Sequence, residues 1–107
     1  SHTRGFLAIL LSRSRRVGVD IEYRSDRIRR IASRFLRPDE SASSTDDLLT
    51  CWCVKEAVYK LRSASHLAYD QMRVHLDTAT ADDLLAADSL SFGREITADY
   101  VLVWTSE

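Results

Sequence analysis

The stretch from about Asp46 to Arg62 most limits what this chain can become. It has no proline or glycine, and its apolar residues recur at helical spacing. Leu48, Leu49, Trp52, Ala57, Val58, Tyr59 and Leu61 place apolar surface on more than one side of such a helix. A helix greasy on several sides must be packed centrally rather than laid on a surface. Thr45 is the expected N-cap, and Asp46 and Asp47 suit the positive end of the helix dipole. A second, shorter helix is expected from Ser25 or Asp26 to about Leu36, with Ile28, Ile31, Ala32 and Phe35 as its apolar stripe. Pro38 ends it.

The remaining apolar segments alternate or run short, as strands do. Phe6–Ser12 reads as a buried strand and Arg13–Arg16 as the break before Val17–Tyr23, its antiparallel partner in a hairpin. Asp39–Ser44 is a polar linker and Ser63–Asp70 a loop. Gln71–Leu76 alternates with Met72, Val74 and Leu76 inward. Asp77–Asp88 is ambiguous, and Ala81–Ala87 reads as a short helical turn or an irregular connection. Leu90–Ile96 and Ala98–Trp104 are two closing strands with a turn near Thr97. The expected architecture is α+β, a mostly antiparallel sheet packed on two helices. At 107 residues, 45% of them apolar, residues 1–107 are expected to form a single domain that buries roughly two-thirds of its unfolded surface.

Charge removes some functions. The net charge of −1 supplies no field for nucleic acid or an anionic membrane. No apolar run is long enough to span a bilayer, and no stretch reads as a signal peptide, so neither a membrane span nor a secretory leader is expected. Cys51 and Cys53 are two apart on a helix and point to different sides, so neither a disulfide nor a shared metal follows. A reduced, cytoplasmic protein is the expectation. Of 15 basic residues only Lys55 and Lys60 are lysines, and both fall in the long helix.

Two short patterns carry chemistry. In Val17-Gly18-Val19-Asp20-Ile21-Glu22 the carboxylates are two apart and project from one face of a strand. Like charges side by side raise each other's pKa, so either a basic side chain, such as Arg24 or Arg27, or a divalent cation must answer them. In Trp52-Cys53-Val54-Lys55-Glu56-Ala57-Val58-Tyr59-Lys60, Glu56 and Lys60 are four apart and share a helix face. By spacing alone that is a surface ion pair. Trp52, one turn earlier on the same face, suggests partial burial instead. If the helix crosses the strand end, Asp20, Glu22 and Glu56 can supply the carboxylates of a magnesium site.

Together the two patterns resemble the 4′-phosphopantetheinyl transferase superfamily, whose signatures read roughly G-[VI]-D and [FW]-[SCT]-x-K-E-[AS]-x-x-K. Ser1-His2 resembles the Ser-His motif of the larger, surfactin-type branch. Phe35-Leu36-Arg37-Pro38-Asp39-Glu40 is similar to the segment between the signatures. The resemblance runs from Ser1 to about Arg62 and implies a magnesium-dependent enzyme. Such an enzyme moves the phosphopantetheine arm of coenzyme A to a serine of an acyl or peptidyl carrier protein and releases adenosine 3′,5′-bisphosphate. By position, Asp20, Glu22 and Glu56 correspond to the metal carboxylates. Glu56 also corresponds to the group that activates the serine, and forms the catalytic pair with Lys60. Lys60 and Lys55 correspond to phosphate contacts, and His2 to a coenzyme A-binding histidine. His66 and His75 have no motif context and read as loop and strand-surface residues. Carrier proteins are acidic, so Arg24, Arg27, Arg30 and Arg34 are the expected docking ridge, or else a solvated helix face.

The chain departs from the pattern in two ways. It resembles only the C-terminal half of the two-half branch, so it is expected to be a fragment or to self-associate. It also has no glycine in Leu61–His66, where the family often places them. Two other readings stay open: a carrier-binding half-domain without activity, and an unrelated acidic phosphoryl-transfer site. The latter explains the strand pair but not the helix signature.

Overall fold

A computed structural model describes residues 1–9, 12 and 15–107. Its elements are β1 (His2–Thr3), β2 (Phe6–Leu7), β3 (Val17–Tyr23), α1 (Ile28–Phe35), α2 (Thr45–Leu61), β4 (Met72–His75), β5 (Thr80–Asp83), β6 (Asp88–Ile96) and β7 (Tyr100–Ser106). Two single 3₁₀ turns, Ser63–Ser65 and Tyr69–Gln71, join α2 to β4. The five strands β3-β7-β6-β5-β4 form one antiparallel sheet. The fold is α+β, as the patterning predicts.

Helix α2 is the centre. Leu48, Leu49, Cys51, Cys53, Val54, Ala57, Val58 and Leu61 are all buried. They meet Met72, Val74, Ala81, Leu90, Phe92, Val101 and Val103 of the sheet, and Ile28 and Phe35 of α1, in one core. Burial pushes both free thiols up, Cys51 to about 12. Ser44 rather than Thr45 caps α2, its hydroxyl accepting from the Asp47 N–H at 3.1 Å. The Thr45 hydroxyl donates to Asp26 instead. That bond occupies the carboxylate expected to cap α1, which begins at Ile28 with no side-chain cap.

Among the described residues the expected hairpin between the first two strands does not form. β3 pairs with β7 along its whole length, from Val17↔Ser106 to Tyr23↔Tyr100. β1 and β2 make a separate two-stranded ribbon, and among the described residues of the predicted strand only Phe6–Leu7 is extended. Leu7 and Ile9 are exposed, not buried. Leu10, Leu11, Arg13 and Ser14 lie outside the described residues. The other edge of β3 is met by side chains: the Ile21 N–H donates to Ser1 Oγ at 3.2 Å and the Tyr23 N–H to Thr3 Oγ1 at 3.1 Å. These hydroxyls stand in for the carbonyls of an edge partner.

The ambiguous stretch resolves as strand and turn. β5 bridges β4 and β6. Asp83 Oδ1 then accepts from the Leu85 and Ala86 N–H groups, turning the chain into β6. Ala79 and Ala87 have positive φ, 53° and 58°, which a continuing helix does not permit. Leu76 lies beyond β4 and is only half-buried. The turn at Thr97 is as predicted, its hydroxyl accepting from the Asp99 and Tyr100 N–H groups.

Candidate active site

Gly18 brings the two signatures together. Alternation along β3 turns Gly18, Asp20 and Glu22 towards α2. A Cβ on Gly18 would sit 2.4 Å from the Ala57 carbonyl oxygen. The missing side chain therefore lets the helix backbone lie directly on the strand. That approach sets Lys60 over the strand, where its ammonium donates to Val19 O at 3.2 Å and to Asp20 Oδ1 at 2.8 Å. Two of its three N–H groups are used, and 45% of its side chain remains exposed.

Asp20 is buried. Its Oδ1 accepts from Lys60 and, at 3.1 Å, from the Ser1 hydroxyl. Its Oδ2 is also buried and has no hydrogen-bond partner among the described residues. Glu22 is half-buried and accepts one long bond, 3.3 Å, from the Trp52 indole N–H. Its carboxyl is held above the usual range, first by burial and then by Asp20, with Glu56 adding to the rise. The Trp52 bond and Lys60 oppose the shift without cancelling it. Glu56 accepts from the Tyr69 hydroxyl at 3.0 Å. Asp20 and Glu56 thus both act on Glu22 through space, yet the three are not drawn into a closed shell. Among the described residues no group of three His, Cys, Asp or Glu has metal-holding spacing.

Beside Glu22 opens a cleft of ≈ 420 Å³. Ile28, Ile31, Leu49 and Trp52 give it apolar walls, and Arg4, Arg27 and Arg30 its positive charge. Arg24 is not part of it. Its guanidinium makes a two-bond pair with Asp46, at 2.6 and 3.1 Å. Arg34 is exposed and lies outside the cleft lining.

Two expected ligands sit elsewhere. Lys55 is fully buried, and its three N–H groups are taken by Phe35 O at 2.6 Å, Glu40 Oε1 at 2.6 Å and Tyr69 O at 3.1 Å. In this arrangement all three of its N–H groups are taken by protein acceptors and none is left for a phosphate. The reason is its place one position before Glu56, about 100° round the helix, which turns it into the protein. His2 is exposed on β1 and makes no hydrogen bond or ion pair among the described residues. Ser1 and Thr3, its neighbours, are the residues that touch β3.

Ser1, Trp52, Tyr69 and Glu40 hold the charged groups in place, and their roles were not legible from spacing. Ser1 and Glu40 fall inside segments that resemble the family, and Trp52 opens its helix signature. Nothing in the sequence marks Tyr69.

No curated protein and no solved structure matches the chain. A family model does, over residues 16–103, taking in both carboxylate signatures and most of the sheet. By that match the chain belongs to the 4′-phosphopantetheinyl transferase superfamily, whose chemistry is phosphopantetheinyl transfer.

Proposed function

We propose that this chain is the catalytic, C-terminal half of a surfactin-type phosphopantetheinyl transferase, with residues 1–107 acting as one domain. It moves the 4′-phosphopantetheine arm of coenzyme A to a serine of an acyl or peptidyl carrier protein. The observation that carries this reading is the orphaned Asp20 Oδ2, buried beside a carboxylate whose pKa is already raised. An unpaired buried carboxylate oxygen is costly. A hard divalent cation relieves that cost and lowers the crowding at Glu22.

The donor chemistry suits magnesium, with oxygen ligands only, on a strand and a helix, and the three side chains would have to close in from the spacing they show here to share one ion. Asp20, Glu22 and Glu56 would hold it. When bound, it supplies charge neutralisation at the pyrophosphate. The chain's own residues do the rest. Lys60 keeps one N–H for a phosphate oxygen, as a point charge. Glu56 takes the proton of the carrier serine as its oxygen bonds to the phosphorus bearing pantetheine. The bond from that phosphorus to the bridging oxygen breaks, and adenosine 3′,5′-bisphosphate leaves with the electron pair. The cleft beside Glu22 suits the carrier: apolar walls for its helix and Arg27 and Arg30 for its acidic side chains, which steer the encounter.

The deciding experiment incubates the chain with coenzyme A, magnesium and an apo carrier protein, and weighs the carrier. A gain of one phosphopantetheine, absent with Glu56→Gln, is expected. Carrier binding without a mass gain would make this a binding half-domain, and neither would end the proposal.

A further inference from the structure

We propose that Tyr69 is a positioning residue for Glu56, an inference that rests on the transferase reading. Tyr69 lies in the 3₁₀ turn after α2, yet three residues of that helix grip it. Its hydroxyl donates to Glu56 Oε1 at 3.0 Å. Its carbonyl accepts from the buried Lys55 ammonium at 3.1 Å. Its ring tilts against Trp52, with centroids 5.6 Å apart. The turn is fixed in its own right, since the Ala68 N–H donates to Gln71 Oε1 at 2.9 Å and the Gln71 N–H to Ala68 O at 3.0 Å.

Held by its backbone and its ring, the phenol is a rigid donor. The terminal torsion of a glutamate is broad and roughly two-fold. A fixed bond to one oxygen selects the plane of the carboxylate. With Oε1 held, Oε2 is the oxygen without a partner among the described residues, and it is the one left for a cation or a serine proton. Catalytic geometry tolerates errors of only about 0.5 Å, so this restraint matters to turnover more than to folding. The Lys55–Glu40 pair takes part at one remove. It holds the Tyr69 carbonyl, and so conveys the order of the core to the reacting carboxylate.

Tyr69→Phe isolates the claim, because it keeps the ring and the carbonyl and removes only the hydroxyl. With the full chain, coenzyme A, magnesium and apo carrier, kcat is expected to fall about tenfold while KM for coenzyme A stays within about twofold. Manganese affinity, titrated calorimetrically without substrates, is expected to fall about threefold or more. In a Glu56→Gln background Tyr69→Phe is expected to change that affinity no further, as residues acting through one contact behave in a double-mutant cycle. Wild-type kcat and affinity in Tyr69→Phe would overturn the role. So would an equal loss in both backgrounds, or a loss matched by a large drop in unfolding midpoint. If the unsubstituted chain neither transfers nor binds manganese, the transferase reading itself fails and takes this role with it.

Discussion

Helix α2 carries two lysine–carboxylate clusters, and they are finished to different degrees. Around Lys55 every polar atom is answered. The ammonium has three acceptors, and Glu40 accepts from Lys55 and the Arg37 N–H through Oε1 and from the Val74 N–H through Oε2. Both side chains are almost wholly buried, at 0% and 1%. Around Lys60 the accounts stay open. Among the described residues Asp20 Oδ2 has no partner, Glu22 is held above its ordinary pKa, and the lysine is half exposed. A closed polar cluster has nothing left to bind and works as a structural tie. An open one, in the same helix and one turn away, is where a ligand lowers free energy.

The largest effect is expected from breaking the closed cluster. Glu40→Ala leaves a buried ammonium without its counter-charge and strips the Arg37 and Val74 N–H groups of their acceptor. Such a loss costs about 3–5 kcal/mol, read as a fall in the urea midpoint. A variant as stable as the parent would show that Lys55 is not held by Glu40. Next comes Gly18→Ala. With the Ala57 oxygen 2.4 Å from the new Cβ, α2 must move off β3, at a cost of about 1–3 kcal/mol typical of overpacking. Because the same approach sets Lys60 on Asp20, manganese affinity should fall with it. Stability lost without loss of affinity would separate the strand–helix contact from the site.

The contrast between the clusters was half visible in the sequence. Period two put Asp20 and Glu22 on one face, and period 3.6 put Glu56 with Lys60, because both patterns are local. What lies opposite a face is not local. Lys55 reads as a free lysine until Glu40 and Tyr69, 15 and 14 residues away, close over it. The pairing of the first strand is hidden for the same reason. Its apolar run fits a hairpin, but β7, some eighty residues on, takes the whole of β3. Thr80-Ala81-Asp82-Asp83 has weak strand formers, and only its ladders to β4 and β6 make it a strand.

A smaller and opposite effect is expected in the open cluster. The folded-state pKa of Glu22 lies above 4.5. Between those two values the folded protein binds more protons than the unfolded one, so stability falls as pH rises through the window. Glu22→Gln removes the charge, and its unfolding midpoint should exceed the parent's at neutral pH. The gain should vanish as pH drops to 4.5 and below. Magnesium should narrow it too, by stabilising only the parent. A lower midpoint for Glu22→Gln at neutral pH would mean that the cluster is not strained.

The smallest effect tests whether the same distinction holds on the surface. Arg24 is closed by Asp46, whereas among the described residues Arg30 has no ion pair and lines the cleft. Arg24→Ala should barely move the urea midpoint, as exposed ion pairs contribute little, and leave KM for the carrier unchanged. Arg30→Ala should leave stability alone and raise that KM by about threefold at low salt, with the difference shrinking as salt screens the approach. The reverse ranking would move carrier docking away from the cleft and onto the outer end of α2, where Arg24 and Asp46 meet.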